Sequence, residues 1–175
     1  MSPNISDMGI LNRSKNATHK FQMHERLMSF GDDSWIENEA GDKVYKSDGK
    51  AMRMRKTFIL EDASGKNMAE IKERVLSVRD KMSLKLPDGR SATVHKKLIG
   101  IRDRYKIEMD GGDDLHAHGN IADHEYEIER DGDTIATVSK KWFRVRDTYG
   151  IEILDGEDDV LLLAVTICID ALSDE

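Results

Sequence analysis

The stretch Ala136-Thr137-Val138-Ser139-Lys140-Lys141-Trp142-Phe143-Arg144-Val145-Arg146-Asp147-Thr148-Tyr149-Gly150-Ile151 decides the fold once its two echoes are laid above it. Ala92-Thr93-Val94-His95-Lys96-Lys97-Leu98-Ile99-Gly100-Ile101-Arg102-Asp103-Arg104-Tyr105-Lys106-Ile107 aligns with it without a gap. So does Ala69-Glu70-Ile71-Lys72-Glu73-Arg74-Val75-Leu76-Ser77-Val78-Arg79-Asp80-Lys81-Met82-Ser83-Leu84. Each copy runs small, polar, β-branched, polar, a charged or basic pair, an apolar pair, Arg-Asp, then bulky-x-Leu/Ile. Self-similarity at a fixed period marks a repeat architecture. Weaker copies fill the gaps: the bulky position falls at Phe58, Met82, Tyr105, Tyr126 and Tyr149, and Ser34-Trp35-Ile36 is a degraded first copy. Six copies of roughly 23 residues cover about 21 to 156.

Each copy reads as two strands. Met82, Leu84 and Leu86 alternate with polar residues, as do Tyr105, Ile107 and Met109, and Tyr126 and Ile128. Tyr149 and Ile151 alternate too, with Leu154 out of phase. Period two is the strand signature. Glu39-Ala40-Gly41, Ala63-Ser64-Gly65, Pro87-Asp88-Gly89, Asp110-Gly111, Asp131-Gly132 and Asp155-Gly156 supply hairpin turns, where glycine tolerates positive φ. A second set, Gly31-Asp32-Asp33, Arg79-Asp80-Lys81, Arg102-Asp103-Arg104 and Arg146-Asp147-Thr148, lies inside the copies. Twelve antiparallel strands in up-and-down order follow.

An open sheet of that size leaves two exposed edges, and closure into a barrel removes them. About eight strands already make a barrel that side chains can fill, so twelve leave a lumen that something must occupy. Val160-Leu161-Leu162-Leu163-Ala164-Val165-Thr166-Ile167-Cys168-Ile169 is apolar on every side, as a helix inside a protein should be. A helix over about 159–172 spans roughly 21 Å, the length of a six-residue strand. Glu157, Asp158 and Asp159 suit its N-terminus. The β-branched Val160, Val165, Ile167 and Ile169 leave a thirteenth, buried strand as the alternative; the need for a plug favours the helix. Residues 1–20 carry no period and read as a flexible tail before a single barrel domain over 21–175.

Composition narrows the function. The chain has 175 residues and a net charge of -7, which argues against a general nucleic-acid binder. Its one cysteine, Cys168, excludes a disulfide framework and a cysteine-based zinc site. The longest apolar run is about half of a bilayer span, and the first twenty residues lack the apolar core of a signal peptide. A cytoplasmic protein, peripheral at a membrane if it meets one, is the expectation. No nucleophile elbow, phosphate loop, dinucleotide fingerprint or zinc-protease motif occurs. With the lumen filled, no enzyme and no cofactor are expected.

Several segments carry a family resemblance. They are Asp48-Gly49-Lys50-Ala51 with Arg53 and Arg55; Thr57-Phe58-Ile59-Leu60-Glu61-Asp62; Gly119-Asn120; Asp131-Gly132 leading to Ala136 through Trp142; Tyr149-Gly150-Ile151-Glu152; and Gly156-Glu157-Asp158 leading into Leu161-Leu162-Leu163-Ala164. Over roughly Gln22 to Leu172 the chain resembles the LURP-one-related family, whose fold is similar to the tubby C-terminal domain and the phospholipid scramblases. The resemblance implies a twelve-stranded barrel around a hydrophobic C-terminal helix. It implies no single activity. Tubby relatives bind phosphoinositides through basic residues and scramblase relatives are tied to lipids and calcium, but neither site maps residue by residue onto this chain.

The two turn sets differ in charge. One barrel end would gather Arg55, Lys56, Arg79, Lys81, Arg102, Arg104 and Arg146, with Lys96, Lys97, Lys140, Lys141 and Arg144 on the strands approaching it. The other would gather Asp62, Asp88, Asp110, Asp113, Asp114, Asp131, Asp133, Asp155, Glu157, Asp158 and Asp159. Arg79, Lys96, Lys97, Arg102, Arg104, Lys140, Lys141, Arg144 and Arg146 are therefore the candidate residues for anionic lipid headgroups or a membrane surface. The alternative is a cytoplasmic protein–protein scaffold with no lipid role; a monomer is expected. His116, His118 and His124, with Asp113, Asp114 or Asp123, form a weak candidate metal set. The acidic turns at 110–114 and 155–159 lack the calcium-loop pattern and read as turns. Trp35 and Trp142 suit either the core or an interface.

Overall fold

A computed structural model describes residues 17–24, 33–49, 55–74, 81–97, 103–142 and 148–173. Among them are strands β1 (Thr18–His24), β2 (Asp33–Asn38), β3 (Lys43–Gly49), β4 (Thr57–Asp62), β5 (Asn67–Glu73) and β6 (Lys81–Lys85). They continue with β7 (Ser91–Lys97), β8 (Asp103–Met109), β9 (Leu115–Asn120), β10 (Glu125–Arg130), β11 (Asp133–Ser139) and β12 (Thr148–Leu154), followed by the helix α1 (Asp159–Ser173). Each strand pairs antiparallel with its chain neighbours, and β1 closes the barrel on β12, with Thr18 opposite Leu154 and His24 opposite Thr148. The up-and-down barrel read from the repeat is the observed architecture.

The turns between β2 and β3, β4 and β5, and β6 and β7 share one hydrogen-bond pattern. Asp62 N–H donates to the Lys66 carbonyl and Gly65 N–H to the Asp62 carbonyl; the pattern recurs at 38–42 and 86–90. Gly65 closes its turn at φ 84°, in the left-handed region where a side chain is strained. The register slips beside two of these turns and beside the β10–β11 turn: Ile36/Glu37, Leu60/Glu61 and Ile128/Glu129 each face a strand with one extra residue. Such bulges bend the strand and tighten its twist, which helps a sheet to close.

Inside, the alternating residues make one core with α1. Ile71, Leu84, Val94, Ile107, Ala117, Ile128, Val138 and Ile151 face inward, and Leu161 through Leu172 of the helix are all buried. The helix reading therefore holds over the buried strand, and α1 extends to Ser173. Asp158 caps it: its Oδ1 accepts from Leu161 N–H at 3.0 Å. Three ion pairs clamp this end to the wall: Arg90–Asp158 at 2.6 Å, His19–Asp159 at 3.0 Å and Arg130–Glu157 at 2.9 Å. Asp159 holds the His19 imidazole above its ordinary range, chiefly through their hydrogen bond.

Three details sharpen or correct the sequence reading. Thr18, His19 and Lys20 belong to β1, so the first strand begins before residue 21. Their polar side chains hide the strand, which backbone pairing to β12 nevertheless supports. The apolar phase of β12 continues through buried Ile153, so Leu154 is outward rather than a break in the pattern. Trp35 is half-buried on the outer wall, with Lys43 Nζ 5.4 Å from its ring centre, and is no core anchor. The expected inner turns at 31–32, 79–80, 102 and 146–147 lie outside the described residues.

Two substitutions test this architecture. Leu162→Asp places a charge in the sealed lumen at a cost of several kcal/mol, a large share of a domain's total stability. Circular dichroism is expected to show an unfolded or aggregated chain, and a cooperative thermal transition near that of the parent would refute the plug. Gly119, at φ 140°, faces Tyr126 on β10; a Cβ there would meet Glu125 O at 2.6 Å and Tyr126 Cα at 2.7 Å. Gly119→Ala should lower stability by roughly 1–3 kcal/mol in urea unfolding.

Candidate functional site at the loop end of the barrel

The barrel has two unlike ends. The tight turns sit where α1 begins, and the opposite ends of the strands sit where it finishes. Among the described residues this second, loop end carries Arg55, Lys56, Arg74, Lys81, Lys96, Lys97, Arg104, Lys140 and Lys141. The turn end carries Asp62, Asp88, Asp110, Asp131, Asp155 and Asp158, while the acidic Asp48, Glu73, Asp123 and Glu125 stand among the basic residues of the loop end, whose basic bias is therefore partial. The helix macrodipole runs against this bias, setting about half a negative charge at its C-terminus, where basic side chains offset it. Lys56 Nζ lies 3.4 Å from the Ala171 carbonyl and serves that terminus.

The candidate basic residues divide by orientation. Lys96 continues the inward phase of Ala92 and Val94 to the rim of the lumen. Lys97 and Arg104 are register partners on adjacent strands and face outward. Lys140 and Lys141 follow β11: the Lys140 N–H donates to Glu125 Oε1 at 3.1 Å, and the Lys141 ammonium sits 3.4 Å from Glu125 Oε2 with its side chain 81% exposed. Trp142, beside them, is the exposed large hydrophobic residue among those described. Arg79, Arg102, Arg144 and Arg146 lie outside the described residues.

Beneath this surface is a polar layer that the sequence reading missed. Asp170, buried on the last turn of α1, accepts a hydrogen bond from the Tyr149 hydroxyl. His124 Nε2 is 3.4 Å from Asp170 Oδ1, and its ring stacks on Tyr149 at 4.2 Å between centres. Tyr105 and Tyr126 are buried at the same repeat position on β8 and β10. Burial first, then the Asp170 charge, pushes the Tyr126 phenol well above its ordinary range. The same two causes raise the Cys168 thiol far above the range of a reactive thiolate, so that cysteine is inert. The signal was present: Asp170 is the one charge in the hydrophobic tail segment, and three of the repeat's bulky positions are tyrosines.

The three histidines do not assemble. His116 and His118 are two apart on β9 and share its outer face, as expected, whereas His124 ends the turn into β10 and faces Asp170. The strand's alternation cannot carry His124 to the outer wall through a turn. The aspartates first considered with them are not neighbours of His118 either; Glu127 and Glu129 of β10 are. An open groove of about 770 Å³ runs over β10, β11, β12 and β1, rimmed by Glu127, Glu129, Arg130, Glu152 and Glu157. It contains none of the candidate basic residues.

A closed antiparallel barrel filled by its own C-terminal helix defines the structural class. The LURP-one-related family model matches residues 19–170, and the chain belongs to that family. A crystal structure of a protein from Arabidopsis thaliana has the same fold, with a TM-score of 0.61 at 10% identity, over 90% of this chain and 93% of that one. No curated protein matches the chain.

Tyr149→Phe should separate anchoring from mere filling at this layer. Loss of the donor to a buried carboxylate should cost about 1–3 kcal/mol. Equal urea midpoints for variant and parent would show that the hydroxyl does not hold the plug.

Proposed function

We propose that the protein is a non-enzymatic binding module whose loop end contacts anionic phospholipid headgroups. The supporting observation is the grouping of Lys97, Arg104, Lys140 and Lys141 with the exposed Trp142 at one barrel end. Basic side chains near an anionic bilayer contribute about 1 kcal/mol each. An indole suits the headgroup boundary, where an amphipathic ring finds both apolar and hydrated surroundings. The net charge of -7 does not oppose this contact strongly, because the acidic turns lie at the far end, beyond a screening length of about 8 Å. Among the described residues, no helix is long and apolar enough to cross a membrane, so the proposed contact is with the surface.

Co-sedimentation with vesicles tests the reading. Binding to vesicles containing phosphatidylserine or a phosphoinositide, but not to neutral phosphatidylcholine, is expected, and it should weaken as salt rises to physiological strength. Lys97→Ala with Arg104→Ala and Lys141→Ala should reduce the affinity by more than about tenfold, and Trp142→Ala should reduce it separately. Equal recovery with neutral and anionic vesicles, or indifference to the triple substitution, would replace the lipid with a protein partner.

A further inference from the structure

The outer wall carries a second, independent constellation. On β9 and β10, His118 is the direct register partner of Glu127, and His116 is the partner of Glu129. These positions alternate with the buried Leu115, Ala117, Tyr126 and Ile128, so all four face outward. One ligand atom from each of His118, Glu127 and Glu129 falls within a 4.8 Å set, with His118 Nε2 only 2.8 Å from Glu129 Oε1. We propose that His118, Glu127 and Glu129 bind a divalent first-row transition ion, Zn²⁺ in the first instance.

Four observations carry this further than proximity. The donor set is mixed: an imidazole nitrogen with two carboxylates suits zinc, cobalt or manganese, whereas calcium and magnesium favour all-oxygen shells. One carboxylate, that of Glu127, is held in place. Thr134 Oγ1 donates to Glu127 Oε2 at 3.2 Å, an outer contact of the type that orients a metal ligand. The bulge opposite Ile128/Glu129 sets Thr134 across from Glu129, and bulges commonly re-aim side chains beside sites.

The glutamates are also not committed to cations. Among the described residues neither forms an ion pair with Lys or Arg. Lys106, the register partner of His116, is taken by Glu108 and Asp114, each at 3.0 Å. Arg130 is taken by Glu157. Arg104, the register partner of His118, makes no ion pair with either glutamate. Finally, Glu127 and Glu129 border the wall groove, so coordination positions beyond the three protein ligands open to solvent. Such a site holds an ion with room for water or an exogenous ligand.

The test uses the tag-free full chain, stripped with chelator and titrated with ZnCl₂ by calorimetry, and with CoCl₂ by visible absorption. One site of roughly micromolar affinity is expected, with cobalt d–d bands of low coordination number. His118→Ala and Glu129→Gln should each weaken binding by more than about tenfold, and Glu127→Gln should do likewise. All three positions are on the surface, and unchanged far-UV circular dichroism would separate ligand loss from unfolding. Absence of heat at millimolar zinc would leave the His118–Glu129 contact as a plain ion pair and overturn the proposal. Undiminished affinity in His118→Ala, or equal binding of Mg²⁺, would overturn it as well. Vesicle binding does not enter these readouts, so failure here and failure of the lipid reading are distinguishable.

Discussion

The barrel and its plug depend on each other, and every other feature is arranged around that dependence. Twelve strands close into a ring whose inward residues are aliphatic and aromatic. Left empty, that ring would face water with an apolar lining. The helix is apolar all round and would have no stable place outside. Joined, each covers the other, and apolar burial contributes about 25 cal/mol per Å² removed from water. Because α1 follows the last strand, the core is complete only when nearly the whole chain has been arranged.

Hydrophobic packing alone would let such a helix slide or turn within the lumen. Polar contacts at both ends fix its depth. At the start, Asp158 caps the helix while Arg90 of the β6–β7 turn, His19 of β1 and Arg130 of β10 tie three adjacent acidic residues to the wall. At the finish, Asp170 reaches Tyr149 and His124. A carboxylate in the last turn of a helix opposes the macrodipole, and burial adds a desolvation cost. The tyrosine hydroxyl offsets part of both, and it can do so at one axial position only. The buried acid thus acts as a depth stop, which matters for a plug whose sides are otherwise uniformly greasy.

The fold was legible because its determinants are local and repeated. Hairpin turns such as 62–66 and the alternation around Met82 and Ile107 are visible within a dozen residues, and the repeat multiplies each signal. The helical state of about 159–172 followed from closure rather than from propensity, since its β-branched residues point both ways. The sites were less legible. Asp170 was overlooked because its partners come from β12 and from the turn before β10. The histidines looked like one cluster because they are near in sequence, yet parity keeps His116 and His118 outside while a turn takes His124 to the rim. The partners of His118 are set by the β9–β10 register, which the turn at 121–124 fixes and no spacing rule gives.

A filled barrel has no lumen to offer a ligand, and this decides where function can reside. In wider barrels the interior holds the ligand or the channel; here Leu161 to Leu172 occupy it. What remains is the outer wall and the two ends. The turn end uses much of its acidic charge to clamp the helix. The loop end has the opposite composition, with Lys56 at the helix terminus and Lys97, Arg104 and Lys141 beyond it. The wall presents the His118–Glu127–Glu129 set on rigid, doubly paired strands. Charge, rather than a cavity, therefore distinguishes the surfaces of this protein. The ends differ because one must hold the plug's N-terminus and the other must tolerate its C-terminus. The helix sets the negative pole of its dipole at the loop end, and the basic side chains gathered there offset it.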